Sequence, residues 1–264
     1  MGGWKEYGFW DSILLECDSR KLGYLKRLEE LKNRDLSSNT YSPKLKQRFA
    51  QRDARQIKGL SQSLGFMQNH EGYFDHFKSL VKSSPDAALF GDITPSYARL
   101  NADHFEQIKV RVGAAGFDLK PVFIMREPLS RIKSAYAMQL RRSRGVQPQT
   151  SLEEFAVSKQ VAIRTKYERT VTALDSVFAP GEVYYAPFES FFTRERLSEL
   201  CSFLTIDYEE PEFEKKINRA RHSFEVDSAE DSRIRKFYES TYQFIDNRFP
   251  HWEIRDLWDF EASV

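Results

Sequence analysis

Two rhythms of apolar residues alternate along this chain. Some runs are short and unbroken; in longer stretches apolar residues return every three or four positions. The first rhythm predicts buried strands and the second predicts helices with one core-facing side. Leu22, Leu25, Leu28 and Leu31 predict a helix over 17–33, followed by a Ser- and Asn-rich loop over 35–44 with Pro43. Residues 44–81 read as one or two helices broken near Gly65. A short strand is expected at 88–91, a helix at 101–115, a strand at 121–126 and a helix at 129–143. After a loop from Arg144 to Thr150, Ser151 opens a Ser-x-x-Glu capping box. Helices at 160–178, 193–204 and 229–248 and a strand at 182–186 complete the pattern. Strands alternating with longer helices imply an α/β fold, a parallel sheet with helices on both faces.

One strand–helix junction stands out. Val122, Phe123, Ile124 and Met125 follow one another without polar interruption and deliver Arg126 to the strand end. Pro128 then suits a first helical turn, where its missing N–H costs nothing. Ser134 lies only ~8 Å along the helix from its start. Arg126, Ser134 and free N–H groups of the helix N-terminus are therefore expected to converge on one phosphate. Ile132, Ala135, Tyr136 and Leu140 fall on the side that would pack, and Arg131, Ser134, Met138 and Arg141 on a polar side.

Charge is balanced in total and clustered locally. Forty Lys and Arg oppose 39 Asp and Glu, a net charge of +1, which argues against a general nucleic-acid binder. Residues 126–144 nevertheless carry six cations against Glu127, and residues 44–58 carry six against Asp53. The first cluster would steer an anionic ligand. The second reads as a helix with a basic face, either simply solvated or a lid or surface for an anionic substrate. The 264 residues, 41% hydrophobic and 14% aromatic, are enough for a globular domain with a sizeable core. The sequence has no 18-residue apolar run, so no membrane partner is expected, and its start lacks a signal pattern, so the cytoplasm is the expected location. Cys17 and Cys201 make no disulfide framework, and the five His show no metal spacing.

Arg126-Glu127-Pro128-x-x-Arg131-x-x-Ser134-x-Tyr136 resembles the 3′-phosphate-binding motif of sulfotransferases that use 3′-phosphoadenosine 5′-phosphosulfate (PAPS). Gly91-Asp92-Ile93-Thr94-Pro95-Ser96-Tyr97 resembles the Glu-Lys-Thr-Pro-x-Tyr segment of the heparan sulfate branch. Lys5-Glu6-Tyr7-Gly8-Phe9-Trp10-Asp11 resembles that branch's Lys-Glu-x-His-Phe-Phe-Asp, whose glutamate is the proposed base. Arg164-Thr165-Lys166-Tyr167, then Val183-Tyr184-Tyr185 with Pro187-Phe188-Glu189, and more loosely Asn218-Arg219-Ala220-Arg221-His222 follow in family order.

The resemblance implies a single sulfotransferase-like domain over 1–264, built on a P-loop-like central sheet, with 17–80 as a helical insertion. It implies PAPS as donor, adenosine 3′,5′-bisphosphate as product, no metal, and a small-molecule or carbohydrate acceptor. Glu6 would be the general base, Asp11 would orient it or the acceptor, and Lys5 is a substitute donor to the leaving phosphate. Arg126, Ser134, Thr165, Tyr167, Arg219 and Arg221 would hold the nucleotide. The family's first strand and its Lys-x-Gly-Thr-Thr loop have no counterpart here, Gly8 replaces a histidine and Ile93 a lysine. The chain is accordingly expected to be incomplete as an enzyme, with a strand edge prone to self-association and hence to homo-oligomers. The rival expectation is a non-catalytic nucleotide-binding or scaffolding relative. A nucleotide kinase would need a Walker A loop, which the sequence lacks.

Overall fold

The computed structural model of the protein describes residues 7–15, 18–35, 42–142, 150–212 and 228–260. These form two compact units, one of residues up to Leu100 with Gln107–Asp118, the other of Asn101–Glu106 with the chain from Leu119 onward. The sequence reading has one domain; the segment 17–80, read there as an insertion, lies wholly in the first unit.

The first unit is helical. It contains α1 (Phe9–Leu14), α2 (Asp18–Lys32), α3 (Pro43–Gln68), α4 (Glu71–Ser83), a 3₁₀ turn at Pro95–Arg99, and the later part of α5 (Ala102–Ala114). Pro43 occupies the first turn of α3, and the Ser42 hydroxyl accepts from the Leu45 amide. The helix break expected at Gly65 falls at Asn69–His70 instead. Leu64 and Phe66 on either side of Gly65 are buried, and this packing outweighs the ~1 kcal/mol by which glycine disfavours a helix. Aromatic rings fill the centre: Phe9 stacks on Tyr73 at 4.1 Å, and Tyr7, Trp10, Phe66 and Phe74 meet Tyr73 edge-on. The leucine stripe of α2 is only half used: Leu31 is buried, whereas Leu22 and Leu25 are exposed.

The second unit holds β1 (Val122–Met125), α6 (Pro128–Arg142), α7 (Leu152–Val157), α8 (Lys159–Thr165), α9 (Tyr167–Val177), β2 (Tyr184–Pro187), α10 (Arg194–Leu204), α11 (Ser228–Phe237), α12 (Glu239–Arg248), a 3₁₀ turn at Pro250–Trp252, and α13 (Ile254–Leu257). The expected strands at 121–126 and 182–186 pair in parallel, with Val122 opposite Tyr184 and Met125 opposite Pro187. Backbone bonds extend the ladder at both ends, Tyr184 N–H to the Pro121 carbonyl and Phe188 N–H to that of Met125. The capping box at Ser151 forms in both directions.

Among the described residues the fold is thus mostly helical, with one two-stranded parallel sheet. The strand expected at 88–91 is irregular chain with Leu89 exposed and no neighbouring ladder to pair with. Burial along β1 is graded, from Val122 at 40% exposure to Met125 at 0%. Two helices expected to run unbroken are divided. The segment 160–178 breaks at Lys166, flanked by two tertiary bonds: Arg131 to the Thr165 hydroxyl, and the Tyr167 hydroxyl to the Arg126 carbonyl. The segment 229–248 breaks at Tyr238, whose fully buried hydroxyl reaches the Ala156 carbonyl. Each break exchanges a turn of local helix for a buried ring with a satisfied polar tip.

Candidate functional site

The strand–turn–helix of the second unit carries two of the expected nucleotide-binding residues, Arg126 and Ser134. β1 ends at Met125, and Arg126 leaves it half-buried, its guanidinium 5.3 Å from the centre of the Phe188 ring. The Tyr167 hydroxyl donates to the Arg126 carbonyl at 2.7 Å and fixes the backbone there. Among the described residues no carboxylate pairs with Arg126. Ser134 sits half-buried in the second turn of α6, and its hydroxyl has no hydrogen-bond partner among the described residues.

The helix N-terminus itself is not free. The Glu127 carboxylate curls back onto it and accepts from the Leu129 amide at 3.1 Å and the Ser130 amide at 2.5 Å. An acid at this position complements both the unpaired amides and the helix dipole. The Tyr242 hydroxyl donates to the same carboxylate, and Arg235 lies 3.6 Å away. The Glu127 amide in turn donates to Glu189, whose other oxygen accepts from the Trp258 indole at 2.9 Å. These amides are therefore taken and do not join Arg126 and Ser134 around a phosphate, as the sequence pattern suggests. Burial, reinforced by the neighbouring Glu127 charge, pushes the Tyr242 phenol well above its ordinary pKa and keeps it a donor.

Two expected nucleotide ligands turn inward. Thr165 is fully buried; its hydroxyl accepts from Arg131 at 2.7 Å and donates to the Val161 carbonyl at 2.8 Å. Tyr167 is buried, and desolvation pushes its phenol up. Neither presents an atom to a ligand. They act at one remove, Thr165 on the Arg131 guanidinium and Tyr167 on the Arg126 backbone. The local basic cluster is also partly spent, since Lys133 pairs with Asp231 at 2.6 Å. Trp252 and Trp258 are buried in the core of this unit.

In the first unit Asp11 is fully buried and accepts from Arg20 at 2.5 Å; Arg20 also donates to the Ser96 hydroxyl at 2.6 Å. No surface of Asp11 remains for an acceptor to touch. Gly8 lies against this pair. Gly8 has φ +59°, a left-handed conformation that strains any side chain, and a Cβ there would lie 2.5 Å from the Arg20 guanidinium, which would have to shift. Asp92 accepts from Thr94 at 2.7 Å, Tyr97 at 2.5 Å and Tyr73 at 3.2 Å; burial raises its pKa against the pull of these bonds. The segment 91–97 therefore closes a polar centre of its own unit, and Ile93 points to solvent. Lys5, Glu6, Arg219 and Arg221 lie outside the described residues.

Among the described residues no group of His, Cys, Asp and Glu is arranged to hold a metal ion, and no helix is long and apolar enough to cross a membrane. No protein-family model matches the chain, and neither does any curated protein or solved structure.

Glu127, Glu189, Tyr242 and Trp258 are what sequence reasoning missed. An acid immediately before an N1 proline is a recognisable capping signal. Its distant partners, 115 residues on for Tyr242, leave no local trace. Glu127→Ala is expected to lower stability by roughly 2–4 kcal/mol in urea denaturation, combining a lost cap with an orphaned buried phenol. A loss under about 0.5 kcal/mol, the scale of an ordinary surface change, would contradict the assignment.

Proposed function

We propose that the protein is a PAPS-dependent sulfotransferase, or the nucleotide-binding portion of one, with Arg126 and Ser134 holding the 3′-phosphate of the donor. The observation that carries this reading is the pair of unspent donors at the β1–α6 junction. Arg126 is anchored through its backbone by Tyr167, yet its guanidinium meets no carboxylate among the described residues. The Ser134 hydroxyl is likewise open there. The Leu129 and Ser130 amides are taken by Glu127 and Lys133 is taken by Asp231, whereas this arginine and hydroxyl remain, and a phosphate is a partner such a donor pair suits. On this reading β1 and β2 are part of a P-loop-like central sheet, and Phe188 supports the arginine from beneath.

The donor supplies the sulfuryl group. Glu6 would take the proton from an acceptor hydroxyl or amine as that atom attacks sulfur, and Lys5 would stabilise charge on the departing phosphate. Arg219 and Arg221 would close on the nucleotide. Thr165 and Tyr167 enter only as positioning residues, and Asp11 as the structural partner of Arg20.

Adenosine 3′,5′-bisphosphate is expected to bind in isothermal calorimetry. Arg126→Ala should weaken it roughly 10- to 150-fold, and Ser134→Ala about fivefold, reflecting a charged against a neutral hydrogen bond. Unchanged affinity in Arg126→Ala would remove the reading. Glu6→Gln should lower sulfate transfer to a hydroxyl acceptor by roughly 10²–10⁴-fold while sparing nucleotide affinity. Transfer at the wild-type rate would make Glu6 a bystander.

A further inference from the structure

The basic stretch 44–58 proves to be part of α3, and its middle carries a cavity. Arg48, Gln51, Arg52, Arg55 and Gln56 line a hollow of about 300 Å³. No carboxylate and no apolar or aromatic side chain is among them. Arg48, Arg52 and Arg55 stand at i, i+4 and i+7, so they share one side of the helix over ~10 Å.

Like charges at these spacings destabilise a helix, and the local acids relieve only Arg52 among the three. Asp53, the sole acid of α3, is buried and gripped by Arg34 through both oxygens, at 3.0 and 2.8 Å. Arg52 pairs with one Asp53 oxygen at 3.4 Å and lies 5.1 Å from the Phe49 ring centre, which holds its guanidinium at the surface. Glu30 is taken by Arg27, which also donates to the Gln56 side-chain oxygen and leaves the Gln56 amino group as a donor. Among the described residues no carboxylate meets Arg48 or Arg55. Arg48 and Arg55 thus line the hollow without an ion pair among the described residues.

We propose that this hollow binds a compact multivalent oxyanion, a small scaffold with two or more phosphate or sulfate groups. Three guanidinium groups spread over ~10 Å exceed what one phosphate can satisfy, and each can chelate an oxyanion through paired N–H donors. The volume lies at the small end of ligand sites. The lining offers no ring for a base to stack on, and its apolar surface is only the stems of arginine and glutamine side chains, so its specific contacts are the polar ends. This inference is independent of the nucleotide site proposed at Arg126.

The test is calorimetry on the full chain at about 50 mM salt, with inorganic tripolyphosphate and sucrose octasulfate as probes. Binding is expected on the order of micromolar and should weaken as salt rises. Tighter binding of tripolyphosphate identifies a phosphate ligand, and tighter binding of the octasulfate a sulfated sugar; either supports the proposal. The double variant Arg48→Ala, Arg55→Ala should weaken the preferred probe roughly 30-fold or more. Lys44→Ala with Lys58→Ala removes the same charge from exposed positions of α3 outside the hollow and should change affinity less than about threefold. Glutamine at 48 and 55 replaces alanine if circular dichroism shows that the alanine variant unfolds. No binding of either probe to the wild type, or equal losses in the two double variants, overturns the proposal.

Discussion

The Glu127 carboxylate joins the parts of the second unit that would otherwise be separate. It caps the amides of Leu129 and Ser130, receives the Tyr242 hydroxyl from α12, and stands beside Arg235 of α11. Its own amide reaches Glu189 after β2, and through it Trp258 after α13. A strand end, a helix start and three C-terminal segments are fixed around one buried acid. Such a group is stable only when every acceptor position is filled, because an unpaired buried charge is very costly. The same network sets where Arg126 stands. Tyr167 holds its carbonyl, and its guanidinium rests against the Phe188 ring without a carboxylate partner among the described residues.

The strand–helix junction was legible in the sequence because its signals are local: an unbroken apolar run, a proline at N1, and apolar positions at helical spacing. Of the four positions that spacing set to pack, Ile132 and Tyr136 are buried and Ala135 and Leu140 half-buried. The Ser151 box was legible for the same reason. Less legible was everything decided at long range. Nothing near Thr165 or Tyr167 shows that their hydroxyls are consumed internally, since their partners, Arg131 and the Arg126 carbonyl, are 34 and 41 residues away. The periodicity over 160–178 and 229–248 is genuinely helical, yet tertiary bonds at Lys166 and Tyr238 interrupt it. Gly65 marked a weak point that packing on both sides overrides. The run 88–91 had the composition of a strand without a partner to make it one.

The two units divide the chemistry in a way the sequence pattern conceals. The segments around residues 5–11 and 91–97 resemble a catalytic region, yet Asp11 and Asp92 are absorbed into buried networks with Arg20, Ser96, Tyr73, Thr94 and Tyr97. Their physical role is to hold an aromatic helical core together. Gly8 follows from that role, because a side chain there collides with Arg20. The candidate ligand donors of the second unit, by contrast, are the groups its network leaves over.

The central claim is that Arg126 reads a 3′-phosphate. The most direct measurement is a thermodynamic cycle: dissociation constants of adenosine 3′,5′-bisphosphate and adenosine 5′-monophosphate for the wild type and Arg126→Ala. The account predicts that the wild type prefers the bisphosphate by roughly tenfold or more and that the preference shrinks to a few-fold in the variant. A preference of the same size in both proteins would contradict it.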